Sequence, residues 1–361
     1  MRLLLLAACA AAATSLSAQI YSNEFLSVGV GARALAMGNS TVASSTDIYS
    51  TYWNPAGLAA VSPETGLMLG AVHNEQFAGV SKYDFAAVSL PLAGDGRRIG
   101  LSFVRQGTDN IPNTINLYNP DGSLDYDNIT EFSVSDYAVM FSYAQPTKLL
   151  DGKLSLGGNL KVIRRIIGDF SSAWGVGVDV GARYVSGNFS AGLMVRDVTS
   201  TYNAWRTDLD DETRRVFVAT GNTLPDQSGS EVTRPSVLPS IAYRFTKGNF
   251  GFAPELTAWI TTDGRRNTLL SADPISMDLN AGLEADFKQI VFLRVGADQW
   301  QRYAPIGEDE RLGARPAFGL GLAFKSVRLD YAFSNPGDAE DLYSHVISLQ
   351  LALKRPDPEL K

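Results

Sequence analysis

Between Trp174 and Tyr184 the side chains alternate without a break: Trp174, Val176, Val178, Val180, Ala182 and Tyr184 are apolar or aromatic, and Gly175, Gly177, Asp179, Gly181 and Arg183 between them are tiny or charged. A period of two places the two sets on opposite faces of an extended strand. The run is about eleven residues long, beyond the usual soluble-sandwich strand and equal to a tilted strand that crosses a bilayer. Strands can cross lipid only when no backbone N–H or C=O is left unpaired, which requires a sheet closed on itself.

The same alternation recurs along the chain. Leu154, Leu156 and Leu160 to Val162 carry it, as does Phe189 to Val195, and Met277, Leu279, Ala281, Leu283, Ala285 and Phe287 stand opposite Asp278, Asn280, Glu284 and Asp286. Further strands are expected at 66 to 72, 80 to 91, 98 to 105, 132 to 144, 236 to 245, 250 to 262, 290 to 299, 316 to 325, 326 to 334 and 344 to 353. The total is about fourteen, an even number as bacterial barrels have. Tight links fall at Gly94-Asp95-Gly96, at 145 to 152, at Ser186-Gly187-Asn188, at Lys247-Gly248-Asn249, near Lys288 and at Lys325-Ser326. Longer polar segments alternate with them at 106 to 131, 199 to 235, 263 to 275, 300 to 315 and 335 to 343, with shorter ones at 73 to 79 and 167 to 173. A membrane barrel sorts its connections in this way, short on the periplasmic side and long outside, whereas a soluble all-β protein has no reason to. The fold class expected is therefore all-β, an antiparallel transmembrane barrel over 66 to 353 with both chain ends in the periplasm.

Composition agrees. After residue 18 the 361-residue chain has no apolar run of the eighteen or so residues that a transmembrane helix needs. Its 33 Gly, 14 Tyr and 17 Phe favour turns, close-packed strands and aromatic girdles. The net charge of -7 argues against nucleic acid as a partner, because phosphate contacts need clustered Lys and Arg. The expected partner along the wall is outer-membrane lipid.

Residues 1 to 18 read as a cleaved signal peptide, with Arg2 as the positive n-region, Leu3 to Ala13 as the apolar stretch and cleavage after Ala18. Leu6-Ala7-Ala8-Cys9 has the form of a lipoprotein box, but the apolar stretch before Cys9 is short and the alanine run continues past it. Residues 19 to 65 lack the strand pattern and are too short for a domain. Their small-residue run, Gly29 to Gly38, and the turn chemistry of Asn54-Pro55-Ala56-Gly57 suit a plug or hatch that packs in the lumen or beneath the barrel. Residues 354 to 361 form a polar periplasmic tail.

Residues 25 to 58 resemble the opening of the PorV/PorQ family, within the wider FadL-like group of outer-membrane barrels. The resemblance is carried by Gly31-Ala32-Arg33, Met37-Gly38, Asp47 and Trp53-Asn54-Pro55-Ala56-Gly57. It implies a barrel of the cell outer membrane that serves type IX protein secretion, docking secreted cargo or secretion-system proteins on its outer loops, 106 to 131 and 199 to 235 above all. The alternative that the FadL-like group implies is transport of a hydrophobic small molecule, with 19 to 65 as the hatch. The Asn54-Pro55-Ala56 element is shared by both branches. Strand-interior Asp179, Arg183, Asp278, Asn280 and Glu284 are expected to face the lumen.

No catalytic constellation is read. Gly29-x-Gly31-x-x-Ala34 resembles a dinucleotide fingerprint, yet no strand precedes it and no βαβ unit follows. His73 and His345 lie at opposite ends of the barrel sequence, and the mature chain has no Cys, so neither a metal site nor a cofactor is assigned. Asp121-x-Ser123-x-Asp125-x-Asp127 alternates oxygen side chains as calcium loops do, without the bidentate Glu that should follow, and is read as a solvated loop. The chain is not read as an enzyme.

Overall fold

The computed structural model describes residues 22–92, 95–119, 123–221, 223–303, 309–334 and 343–354. The expected signal peptide over 1 to 18, Asp121 of the acidic loop and the tail beyond Lys354 lie outside the described residues.

Among the described residues, fourteen antiparallel strands close into one barrel. They are β1 (Thr65–Gln76), β2 (Ser81–Pro91), β3 (Arg98–Asn113), β4 (Thr130–Pro146), β5 (Leu154–Ile167) and β6 (Ser171–Ser186). Two interrupted strands follow: β7 (Phe189–Arg196 with Thr201–Thr207) and β8 (Ser228–Thr233 with Ser236–Tyr243 and Phe245–Lys247). The last six are β9 (Phe250–Thr261), β10 (Ser276–Phe287), β11 (Val291–Tyr303), β12 (Arg311–Phe324), β13 (Val327–Ser334) and β14 (Ser344–Lys354). Each strand pairs with its sequence neighbour, and β14 pairs with β1, from Met68↔Ala352 to Glu75↔His345, which closes the ring. That closure sets His345 opposite Glu75, two residues from His73, so the two histidines, far apart in sequence, stand on adjacent strands.

Side chains alternate across the wall as the period of two demands. Leu101, Leu160, Ile241, Leu293, Leu320 and Ile347 are exposed on the outside, where an apolar belt faces lipid. Near the short turns Phe287 and Phe324 point outward with Lys288 and Lys325 over their rings at 5.5 and 5.2 Å, a snorkelling arrangement suited to the membrane interface. No described helix is long and apolar enough to cross a membrane.

The outer hairpins extend further than the hydrophobic pattern indicates. β3 and β4 pair as far as Asn113↔Thr130, and β7 and β8 as far as Arg206↔Ser228, inside segments read from sequence as loops. Above the bilayer both faces of a hairpin are wetted, so the backbone ladder continues where the apolar alternation stops. The connections after β1 and β5, expected over 73 to 79 and 167 to 173, reduce to 77 to 80 and 168 to 170 for the same reason. Between β7 and β8 a short helix, α3 (Asp211–Ala219), starts at an Asp210 cap whose side chain accepts from Thr213 N.

Residues 22 to 64 run inside the barrel. They contain two short helices, α1 (Ala32–Ala36) and α2 (Ser50–Trp53), with 3-10 turns at Glu24–Ser27 and Pro55–Ala60. Nearly all of this segment is buried, including Trp53, Met37, Ile48 and Leu58. Glycines on the inner wall make the room. A Cβ at Gly157 of β5 would stand 2.4 Å from Ala56 N, and one at Gly296 of β11 would stand 2.2 Å from Gly38 N. The small residues of the N-terminal segment and the glycines of the strands are two halves of one contact.

Two outcomes follow. Gly157→Val drives a side chain into the segment backbone and should lower stability by about 1–3 kcal/mol or more, read as a lower temperature for the heat-induced gel-mobility shift of the folded barrel. Leu320→Arg places a charge in the lipid-facing belt and should cost about 2–4 kcal/mol near mid-bilayer, read by denaturant unfolding in vesicles; an unchanged midpoint would remove the lipid-belt assignment.

Candidate functional site

The motif residues of the N-terminal segment each have a structural task. Gly31, at φ 89°, turns the chain into α1. Ala32 N donates to Ser348 Oγ of β14 at 3.1 Å. Met37 and Gly38 sit against Gly282 and Gly296 of β10 and β11. Asp47 accepts from Tyr49 N at 3.0 Å and so starts α2, whose Trp53 donates through Nε1 to Val30 O at 2.8 Å. Asn54 caps the next turn by accepting from Ala56 N, while its Nδ2 donates to Val42 O and to Ala182 O of β6. Pro55 opens that turn at its first position, and a Cβ on Gly57 would fall 2.1 Å from Ser45 O.

Arg33 ties the segment to the wall electrostatically. Its Nε donates to Glu284 Oε2 of β10 at 2.9 Å, and the same carboxylate oxygen takes Arg294 Nε of β11 at 2.7 Å. Arg294 Nη1 continues to Asp330 Oδ1 of β13 at 2.9 Å, and Arg328 bonds the other oxygen of Asp330 at 3.0 Å. Three guanidiniums and two carboxylates thus share one buried network in the half of the lumen nearer the short turns. A second anchor is Glu255 of β9, fully buried, which accepts from Ala43 N at 2.8 Å and from Ser240 Oγ at 2.9 Å. Arg183 of β6 donates to Ala43 O at 2.8 Å.

Above the segment, on the outer side, lies a cavity of about 330 Å³. Its floor includes Leu26, Tyr52, Met140 and Arg196, its wall Trp259, Asp278 and Asn280, and its rim the connection between β9 and β10 with Asp263 and Arg266. Asp179 and Lys161 meet at its edge: Lys161 Nζ stands 2.7 Å from Asp179 Oδ1 and 2.6 Å from Asp197 Oδ1, all three side chains being nearly or fully buried. Asp197 reaches this position because β7 is broken. Between Val180↔Val195 and Val176↔Tyr202, three residues of β6 face six of β7, and the extra residues fold inward, with Asp197 and Ser200 at positive φ. Thr201 closes the turn by donating to Asp197.

Arg196 lies flat among aromatic rings, 4.7 Å from Tyr52, 5.5 Å from Trp53 and 5.0 Å from Trp259. Its Nη1 donates to Leu26 O at 2.8 Å. At the rim, partial burial raises the Asp263 carboxyl and the Arg266 guanidinium outweighs that effect, leaving the acid below the usual carboxylate range. Arg266 also holds Glu24 Oε1 at 2.8 Å, which ties the start of the segment to the outer loop.

Of the five residues expected to face the lumen, Asp179, Asp278 and Asn280 line the cavity, Glu284 sits in the Arg33 network, and Arg183 binds the segment backbone apart from both. Lys161, Arg196, Asp197, Glu255, Arg294, Arg328 and Asp330 carry the rest of the polar interior. Each occupies an inward position, so the signal that could have found them was a charge on the wrong face of an otherwise apolar alternation.

No family model matches the sequence, and no curated protein matches it by sequence. Solved structures share its shape. The toluene transporter TbuX of Ralstonia pickettii matches at 12% identity and TM-score 0.53, over 90% of this chain and 98% of that one. The toluene transporter TodX of Pseudomonas putida matches at 12% identity and TM-score 0.54, over 91% and 99%. A FadL homologue of Pseudomonas aeruginosa matches at 13% identity and TM-score 0.51, over 89% and 97%. The chain has the fold of the FadL-type outer-membrane barrels.

Proposed function

We propose that this protein is an outer-membrane transporter, exported by its signal peptide, that takes a small organic molecule from the cell surface into the lumen, with residues 19 to 65 as the hatch. The observation that carries this reading is the cavity between hatch and outer loops, about 330 Å³ in volume, large enough for a small-molecule site. Leu26, Tyr52, Met140 and Trp259 offer its occupant an apolar body contact. The toluene transporters of the same fold support the alternative that the sequence offered, transport of a hydrophobic small molecule across the outer membrane. The chain is not an enzyme on this reading.

Passage to the periplasm requires the hatch to shift, and the Arg33–Glu284 contact opposes that shift. Glu284→Gln leaves Arg294 and Arg33 without their shared carboxylate, a change that typically costs about 3–5 kcal/mol for a buried pair. The variant should leak small solutes in vesicle-swelling assays and expose the 22 to 64 segment to protease, while the wild type does neither. The reading itself is tested by accumulation of radiolabelled small organic solutes in cells with and without the gene. Equal accumulation of every solute in both strains would overturn it.

A second reading, docking of secreted cargo or secretion-system proteins as in the PorV/PorQ type, is favoured by the 25 to 58 motif and by Tyr118 and Tyr126, which are widely exposed on the connection between β3 and β4. Replacing residues 114 to 129 by a short turn should abolish surface display of type IX cargo if docking is the function; unchanged display removes this reading.

A further inference from the structure

The cavity has a polarity that a hydrocarbon does not match. Six carboxylates and four cationic side chains line it. Most are already satisfied: Lys161 takes Asp179 and Asp197, and Arg266 takes Asp263 and Glu24. Two are not. Arg196, 6% exposed, has no carboxylate partner among the described residues, and its Nη2 is buried without any acceptor. Asp278 has no cationic partner among the described residues; its oxygens accept from backbone N–H groups, those of Leu279 and Trp300 at 3.0 to 3.3 Å.

These two groups flank one ring. Arg196 stands 5.0 Å from Trp259, and Trp259 is the cross-strand partner of Asp278 on the inner face of β9 and β10. An apolar molecule settling on Trp259 would leave the buried guanidinium N–H without an acceptor and shield the carboxylate from water, returning nothing to either. A simple anion would satisfy Arg196 but add to the surplus of negative charge. A molecule with both signs of charge and an apolar body satisfies all three elements at once.

We propose that the cavity binds a small zwitterion of the amino-acid class, its carboxylate on Arg196, its ammonium toward Asp278 and its apolar side chain against Trp259 and Tyr52. This assignment rests on the uptake reading and names the substrate class of that cavity. Four probes of one size separate the contributions: L-phenylalanine carries both charges, phenylacetate the anion, phenethylamine the cation and ethylbenzene neither. Calorimetric titration of the full barrel in non-ionic detergent should show L-phenylalanine binding at least tenfold tighter than the other three.

Asp278→Asn should bring L-phenylalanine down to the level of phenylacetate and leave phenylacetate unchanged. Arg196→Lys, which removes the second N–H pair while keeping the charge, should weaken L-phenylalanine and phenylacetate alike and spare phenethylamine. Heat-shifted gel mobility verifies that both variants fold; should the Arg196 variant not fold, the wild-type ranking and Asp278→Asn still decide. Ethylbenzene binding as tightly as L-phenylalanine, no binding by any probe, or an unchanged L-phenylalanine affinity in Asp278→Asn would overturn the assignment. The cell accumulation experiment judges uptake separately: ethylbenzene taken up and bound alone removes the zwitterion and leaves the transporter, whereas L-phenylalanine bound but no solute accumulated removes the transporter.

Discussion

A backbone amide in the hydrocarbon of a bilayer has no water to bond, and each one left unpaired costs several kcal/mol. The whole molecule answers that constraint. Thirteen of its ladders join sequence neighbours, but only the pairing of β14 with β1 removes the two free edges. Once the ring is closed, one face of every strand must be greasy and the other is free to be polar, which is why an apolar belt and a heavily charged interior coexist in one sheet.

Closure creates a second problem, a lumen wide enough to need filling. Residues 22 to 64 fill it by backbone contact more than by side-chain bulk. Gly157 and Gly296 let the chain approach the wall to a distance that any other residue would forbid. Such packing is unforgiving in volume, and the charged ties to Glu284 and Glu255 add direction to it. A buried ionic network contributes little net stability when it replaces apolar packing, yet breaking one member is expensive. The segment is therefore held in one register, and its movement requires the Arg33–Glu284 contact and the hydrogen bond from Ala43 to Glu255 to break.

The break in β7 shows how a wall can serve as more than a wall. Its extra residues turn inward and carry Arg196 and Asp197 into the lumen, where Lys161 and the rings of Tyr52 and Trp259 receive them. The cavity above the hatch exists because strand, hatch and outer loop each leave part of that space open.

Alternation from Leu154 to Tyr184, and again over Met277 to Phe287, was enough to read the strands and their even number, because lipid on one side imposes a period that survives in local sequence. The turns at Ser186-Gly187-Asn188 and Lys247-Gly248-Asn249 were legible for an equally local reason, their demand for residues that tolerate tight backbone. The tops of the hairpins were not, since hydrogen bonding in water leaves no hydrophobic signature. Nor was the site: Arg196, Asp278 and Trp259 come from three strands, and no spacing along the chain reports that they share a cavity. Local periodicity thus determined what each segment must be, while the register of closure and the path of residues 22 to 64 decided which charges met, because pairing across a barrel depends on contacts hundreds of residues apart.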